Sequence, residues 1–150
     1  MPKNPLIRNG IIIAVIAVIV IAAKMFLPTD ANSLQVGQCF DPPTIEGEVN
    51  GVDDGPCTDP HKGEVFFVGD YKPADGTDEF PTSFDFQDFY TATCKPAFNA
   101  YTGLDYDTDT TYDLAAFRPT SDSWGNGDRK VICYAIRADE APLTKSIKKA

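Results

Sequence analysis

The stretch "CTDPHKGEVF", from Cys57 to Phe66, holds the only histidine of the chain, His61, with Asp59 before it and Glu64 after it. An imidazole between two acids suggests general-base or metal chemistry, and each needs partners. A hydrolytic triad needs a nucleophile and an orienting acid around the imidazole. The chain has no G-x-S-x-G motif, and no cysteine is left over if all four are oxidised. A metal site needs further ligands, but Asp59 and Glu64 give no recognised ligand spacing and there is no second histidine. The expectation is a structural corner in which "DPH" turns and His61 hydrogen-bonds the backbone or an acid.

A second candidate is "DYDTDTTYD". Asp105, Asp107 and Asp109, with Asp113 at the ninth place, begin like a calcium loop. That loop wants Gly at its sixth position and Glu at its twelfth, where this chain has Thr110 and Ala116. The four aspartates are weak metal candidates, and a solvated acidic loop is expected. In "SWGNGDR", Trp124 is the only tryptophan, and Arg129 beside Asp128 suggests an ion pair. Structural roles are expected for all three. No catalytic residue, metal or cofactor is assigned.

The elements that position these residues lie after residue 27. "LQVGQCF" (34–40) reads as a strand with a bend at Gly37, and a short strand is expected near 48–52. "GEVFFVGDY" (63–71) and "RKVICYAIR" (129–137) are the strongest strands. In the latter, Ile132, Tyr134 and Ile136 face one side, and Val131, Cys133 and Ala135 the other. Tyr112 to Phe117 is a further strand. Between them, Phe86, Phe89, Tyr90, Cys94, Ala97, Phe98 and Tyr101 recur at helical spacing over 84–103. Ser83 suits the N-cap and Gly103 the left-handed end. Pro96 predicts a kink near 92–95, because it removes a hydrogen bond and crowds the preceding turn. The fold class is α+β: a small antiparallel sheet with one packed helix.

Residues before 28 are of another kind. "NGIIIAVIAVIVIAA" is uncharged and almost wholly aliphatic between Arg8 and Lys24. With Lys24 snorkelling, residues 9–27 suffice for one membrane crossing. "IAAKMF" lacks a clean A-x-A cleavage site, so an uncleaved signal-anchor helix is expected rather than a removed signal peptide. Lys3 and Arg8 put residues 1–8 in the cytoplasm. Residues 28–33 read as a tether, 34–146 as an extracytoplasmic domain and 147–150 as a frayed basic tail.

Cys39, Cys57, Cys94 and Cys133 all fall in the exported part, where cysteines are usually oxidised in pairs. Their separations of 18, 37 and 39 contain no C-x2-C zinc motif. Four cysteines allow three pairings, and the sequence does not choose among them. The sequential one, Cys39–Cys57 with Cys94–Cys133, is the working expectation. Its loops would stabilise the fold by about 3 and 4 kcal/mol. All 22 acidic but only ten of the 13 basic residues follow residue 27, a formal balance of about −12. This balance argues against nucleic acid or anionic lipid as the main partner.

Taken in order, "LQVGQCF", "GPCTDPHKGEVFFV", "TCKPAFNAYTG" and "RPTSDSWGNGDRKVICYA" resemble the septum-formation domain family of actinobacteria-type bacteria. The resemblance spans about 34–146. Its motif pieces are Cys57, Pro60, His61, Glu64 and Val65, then Trp124, Gly127, Asp128, Arg129 and Cys133, with a late Ser146. Gln38 stands where the family pattern has an acid, and "TKS" replaces its small residues before Ser146. The resemblance implies a single transmembrane helix and an extracytoplasmic domain in the cell membrane, tied to the envelope or division septum, with no catalytic residue. The expected function is a non-enzymatic, membrane-anchored binding domain for another envelope or division protein. The alternative is an envelope enzyme or a calcium- or zinc-dependent binder, using His61, Asp59 and Glu64 or the Asp105–Asp113 loop.

Overall fold

The computed structural model describes residues 28–44, 47 and 49–150. The expected cytoplasmic tail and membrane helix lie outside the described residues. Among those described, no helix is long and apolar enough to cross a membrane.

In chain order the strands are β1 (Thr29–Asp30), β2 (Cys39–Asp41), β3 (Gly51–Gly55), β4 (Gly63–Asp70), β5 (Tyr112–Phe117) and β6 (Lys130–Arg137). They form one six-stranded sheet in the order β1-β3-β2-β4-β6-β5, with every pairing antiparallel. A helical segment lies between β4 and β5: α1 (Ser83–Phe89), a π turn (Tyr90–Cys94) and α2 (Lys95–Thr102). The fold is α+β. The short α3 (Ser121–Gly125) occupies part of the glycine-rich turn before β6, where Thr120 and Ser123 cap each other.

The alternation in β6 sorts the two cores. Val131, Cys133 and Ala135 pack under the helical segment with Phe86, Cys94, Phe98 and Tyr101. Ile132 and Tyr134 pack on the opposite face with Leu34, Phe40, Val52 and Val65, and Ile136 leans on them. In β4 a bulge breaks the alternation. Val65 lies opposite Tyr134 and Phe67 opposite Cys133, so Phe66 has no partner of its own. Consecutive phenylalanines therefore both face the helical segment, Phe66 against Phe98 at 5.6 Å and Phe67 against Phe89 at 6.3 Å.

The kink expected from Pro96 is the π turn. Lys95 N–H reaches back five residues to Tyr90 C=O, widening the turn where the proline ring would crowd it. The N-cap is Thr82 rather than Ser83. Only Thr82 places Asp85 at the position that closes a reciprocal capping box. Gly103 ends α2 at φ 77°.

Three boundaries differ from the sequence reading. Residues 34–38 are a turn, with Gly37 at φ +90° and Leu34 buried as its anchor, so the strand starts only at Cys39. The short strand expected near 48–52 begins at Gly51. Residues 28–33 are not a free tether. Thr29 and Asp30 pair with Val52 and Gly51, and Ala31 is buried behind them. At the other end the basic tail is held, with Ile147 against the helical core and Lys149 N–H on Tyr101 C=O at 3.0 Å.

Candidate functional site

The start of β4 carries an acidic side chain into the core. Glu64 lies opposite Cys39 of β2 on one side and Ala135 of β6 on the other. Ala135 faces the helical segment, and directly opposed side chains share a face. Glu64 therefore points under α2 and is fully buried. A buried carboxylate requires donors. Oε1 accepts the Tyr101 hydroxyl at 2.6 Å and the Ser146 hydroxyl at 2.7 Å, and Oε2 accepts Ile147 N–H at 2.8 Å. Burial first, then the hydrogen bond to Glu64, push the Tyr101 phenol well above its ordinary value, so it stays a donor.

His61 is buried beside this carboxylate. It exchanges backbone hydrogen bonds with Leu143, at 3.0 and 2.7 Å. Asp59 N–H closes the preceding turn on Pro56 C=O at 2.9 Å, with Pro60 exposed. His61 Nδ1 lies 2.8 Å from Asp59 C=O, while Nε2 is buried with no hydrogen-bond partner. The turn is therefore Pro56–Asp59, just ahead of "DPH", and His61 itself is a bridge residue bonded to the backbone of Leu143 and Asp59. Cys39 and Cys57 form a disulfide with Cα atoms 5.2 Å apart, and Cys94 and Cys133 form a second at 6.1 Å. Cys39, Cys57, His61 and Glu64 each present one ligand atom, all within 4.8 Å of one another. Spacing along the chain hides this cluster, because β2, the loop after β3 and the start of β4 supply it separately. A catalytic triad is not assembled there: Ser146 donates straight to Glu64, and His61 Nε2 bonds neither.

The Trp124 group forms a clasp. Trp124 is buried, and its indole N–H donates to Asp78 C=O at 2.9 Å. The Arg129 guanidinium stacks on the indole, 3.6 Å from its centroid, and donates to the carbonyls of Trp124 and Asp128. Its ion pair is with Asp78 rather than the expected Asp128. Asp128 instead accepts from Ser123 and from Lys130 N–H, and Gly127 turns at φ +90°. Nothing in the sequence marks Asp78, which lies in a loop 46 residues before Trp124.

The calcium-like aspartates are used locally. Asp105 accepts Asp107 N–H, and Asp109 accepts the N–H groups of Thr111 and Tyr112. Asp107 pairs with Lys95 at 2.6 Å, and Asp113 is exposed on β5. On the sheet face away from the helical segment, a cleft of about 890 Å³ opens. Asp30, Asn32, Phe117, Arg118 and Tyr134 are among its walls.

From β1 to the residue after Ile147, the sequence matches a single family description, Septum formation, over residues 30–148. The chain belongs to the Septum formation family. No curated protein and no solved structure matches it. Family membership connects the chain to cell division through septum formation. The matched span takes in Asp30 and the Ser146–Ile147 clasp on Glu64, both ends that pack into the domain. Sequence reasoning counted Tyr101 only as part of an apolar helix face. Its hydroxyl is one of the three donors, with the Ser146 hydroxyl and Ile147 N–H, that make the buried Glu64 tenable.

Proposed function

We propose that this chain is a non-enzymatic interaction module of septum formation. In this reading residues 9–27 anchor it in the cell membrane, with the N-terminus in the cytoplasm and the disulfide-bonded domain outside. The observation that supports it best is where the motif side chains point. Glu64, Trp124, Asp128 and Arg129 all direct their polar atoms into bonds that fasten the domain to itself. Such residues build a scaffold, and the mixed polar and aromatic cleft beside Arg118 and Tyr134 is the open surface left for another envelope or division protein. The paired cysteines suit an oxidising compartment.

A fluorescent protein fused to the N-terminus, followed in dividing cells, tests the role. The expected result is enrichment at mid-cell, lost in Arg118→Glu. A membrane-impermeant maleimide should label intact cells only after reduction. Uniform membrane fluorescence removes the septal role, and labelling that requires lysis removes the outward orientation.

A further inference from the structure

Cleavage of one disulfide would release two sulfur ligands beside a buried imidazole and a buried carboxylate. Asp59 C=O can only accept a hydrogen bond, so Nδ1 of His61 is the donor there, and in the neutral ring the lone pair is on Nε2. Nε2 is the one buried side-chain polar atom among the described residues without a partner, on a residue 5% exposed. A ring N–H held by a backbone carbonyl is also how proteins orient an imidazole that binds a metal through its other nitrogen. Glu64 is prepared in the same way. Oε1 takes two hydroxyl donors, whereas Oε2 takes a single N–H and keeps a lone pair.

We propose that the chain with Cys39–Cys57 reduced binds one zinc ion through the Cys39 and Cys57 thiolates, His61 Nε2 and the Glu64 carboxylate. Two thiolates, an imidazole and a carboxylate suit four-coordinate zinc and disfavour calcium or magnesium, which take oxygen ligands. The disulfide then acts as a gate. A dithiol reductant breaks the S–S bond by giving two electrons and two protons and is itself oxidised to a disulfide. Two thiols result, and zinc binding displaces both of their protons. Cys57 is partly exposed and open to the reductant, whereas Cys94 and Cys133 are both buried among apolar side chains. Among the described residues no other group of His, Cys, Asp and Glu converges in this way.

The test uses the full chain in detergent micelles, oxidised or reduced with a thiol-free phosphine, then given zinc and freed of excess by gel filtration. The oxidised chain should retain none and the reduced chain about one zinc per molecule. Cobalt in place of zinc should give the absorption of a tetrahedral thiolate site. His61→Ala should weaken zinc binding roughly tenfold or more, and Cys39→Ser/Cys57→Ser should abolish it. Wild-type protein supplies a measurement independent of any variant's folding. Zinc should block alkylation of Cys39 and Cys57, read by peptide mass, and leave Cys94 and Cys133 unaffected. A reduced chain that retains no zinc, zinc that persists without Cys39 and Cys57, or absent protection would each overturn the proposal.

Discussion

The two disulfides occupy opposite surroundings. Cys94–Cys133 joins the π turn to β6 inside an apolar layer that includes Phe66, Phe98 and Val131. Cys39–Cys57 joins β2 to the loop after β3, beside His61 and Glu64, the two buried polar residues of the described chain. The first holds helix to sheet, where the proline-interrupted segment has lost regular hydrogen bonds. The second closes a polar corner onto which the chain's last residues fold. A bond of one kind thus serves packing in one place and borders a charged network in the other. Removing both sulfurs of Cys94–Cys133 by serine substitution should destabilise the domain most, by about 4 kcal/mol, since it closes 39 residues. The 18-residue Cys39–Cys57 loop should give about 3 kcal/mol. Urea unfolding midpoints measure both, and the reverse order would show that the polar corner, not the helix–sheet seam, limits stability.

The polar corner has its own weak point. Glu64→Ala strands the Tyr101 and Ser146 hydroxyls and Ile147 N–H, and should cost about 3 kcal/mol. Its signature is regional. Amide exchange at Ile147 and Lys149 should quicken, while Gly103 N–H, bonded to Asn99 C=O at 2.9 Å, should not change before global unfolding. Uniform acceleration would mean that the tail is integral to the whole fold. Trp124→Phe acts in the same core cluster as Cys94–Cys133 but on a different set of polar bonds. It keeps an aromatic ring in the core but loses the bond to Asp78 C=O and most of the Arg129 stacking, about 1.5 kcal/mol by urea unfolding.

The same contrast marks what could be read in the sequence. The helical segment, its Pro96 defect and its glycine end were legible because each depends on residues a turn apart. The two faces of β6 were legible because strict alternation survives in that strand. In β4 alternation fails at Phe66, an insertion that only the pairing with β6 defines. β1 is two residues long and has no period to detect. Glu64 was the hardest to place, since a glutamate in a strand ordinarily faces water. Its burial depends on Tyr101, 37 residues away, and Ser146, 82 away. The Asp105–Asp113 loop is ambiguous in sequence for a different reason. Alternate aspartates serve a calcium loop and Asx turns equally well, so spacing cannot separate them.

The smallest effect is expected at the far end of the helical segment. Thr82 Oγ accepts Asp85 N–H at 3.3 Å, and the Asp85 carboxylate accepts Thr82 N–H at 2.8 Å and its hydroxyl at 2.6 Å. The Thr82 hydroxyl, then its N–H, hold the Asp85 carboxyl below the ordinary carboxylate range. A carboxyl whose value is lowered by folding contributes stability above its unfolded value, and that contribution disappears as pH falls through the lower folded value. Thr82→Ala should therefore cost about 1 kcal/mol near neutral pH, and the deficit should narrow as the solution is acidified below the ordinary aspartate range. The Cys94–Cys133 bond already ties the segment to β6, so α1 can fray without releasing the sheet. Exchange at Ile147 should be unchanged, because the Glu64 corner has no part in this cap. A pH-independent deficit would mean that Thr82 caps the helix without Asp85, and faster exchange at Ile147 would mean that the two regions do not act separately.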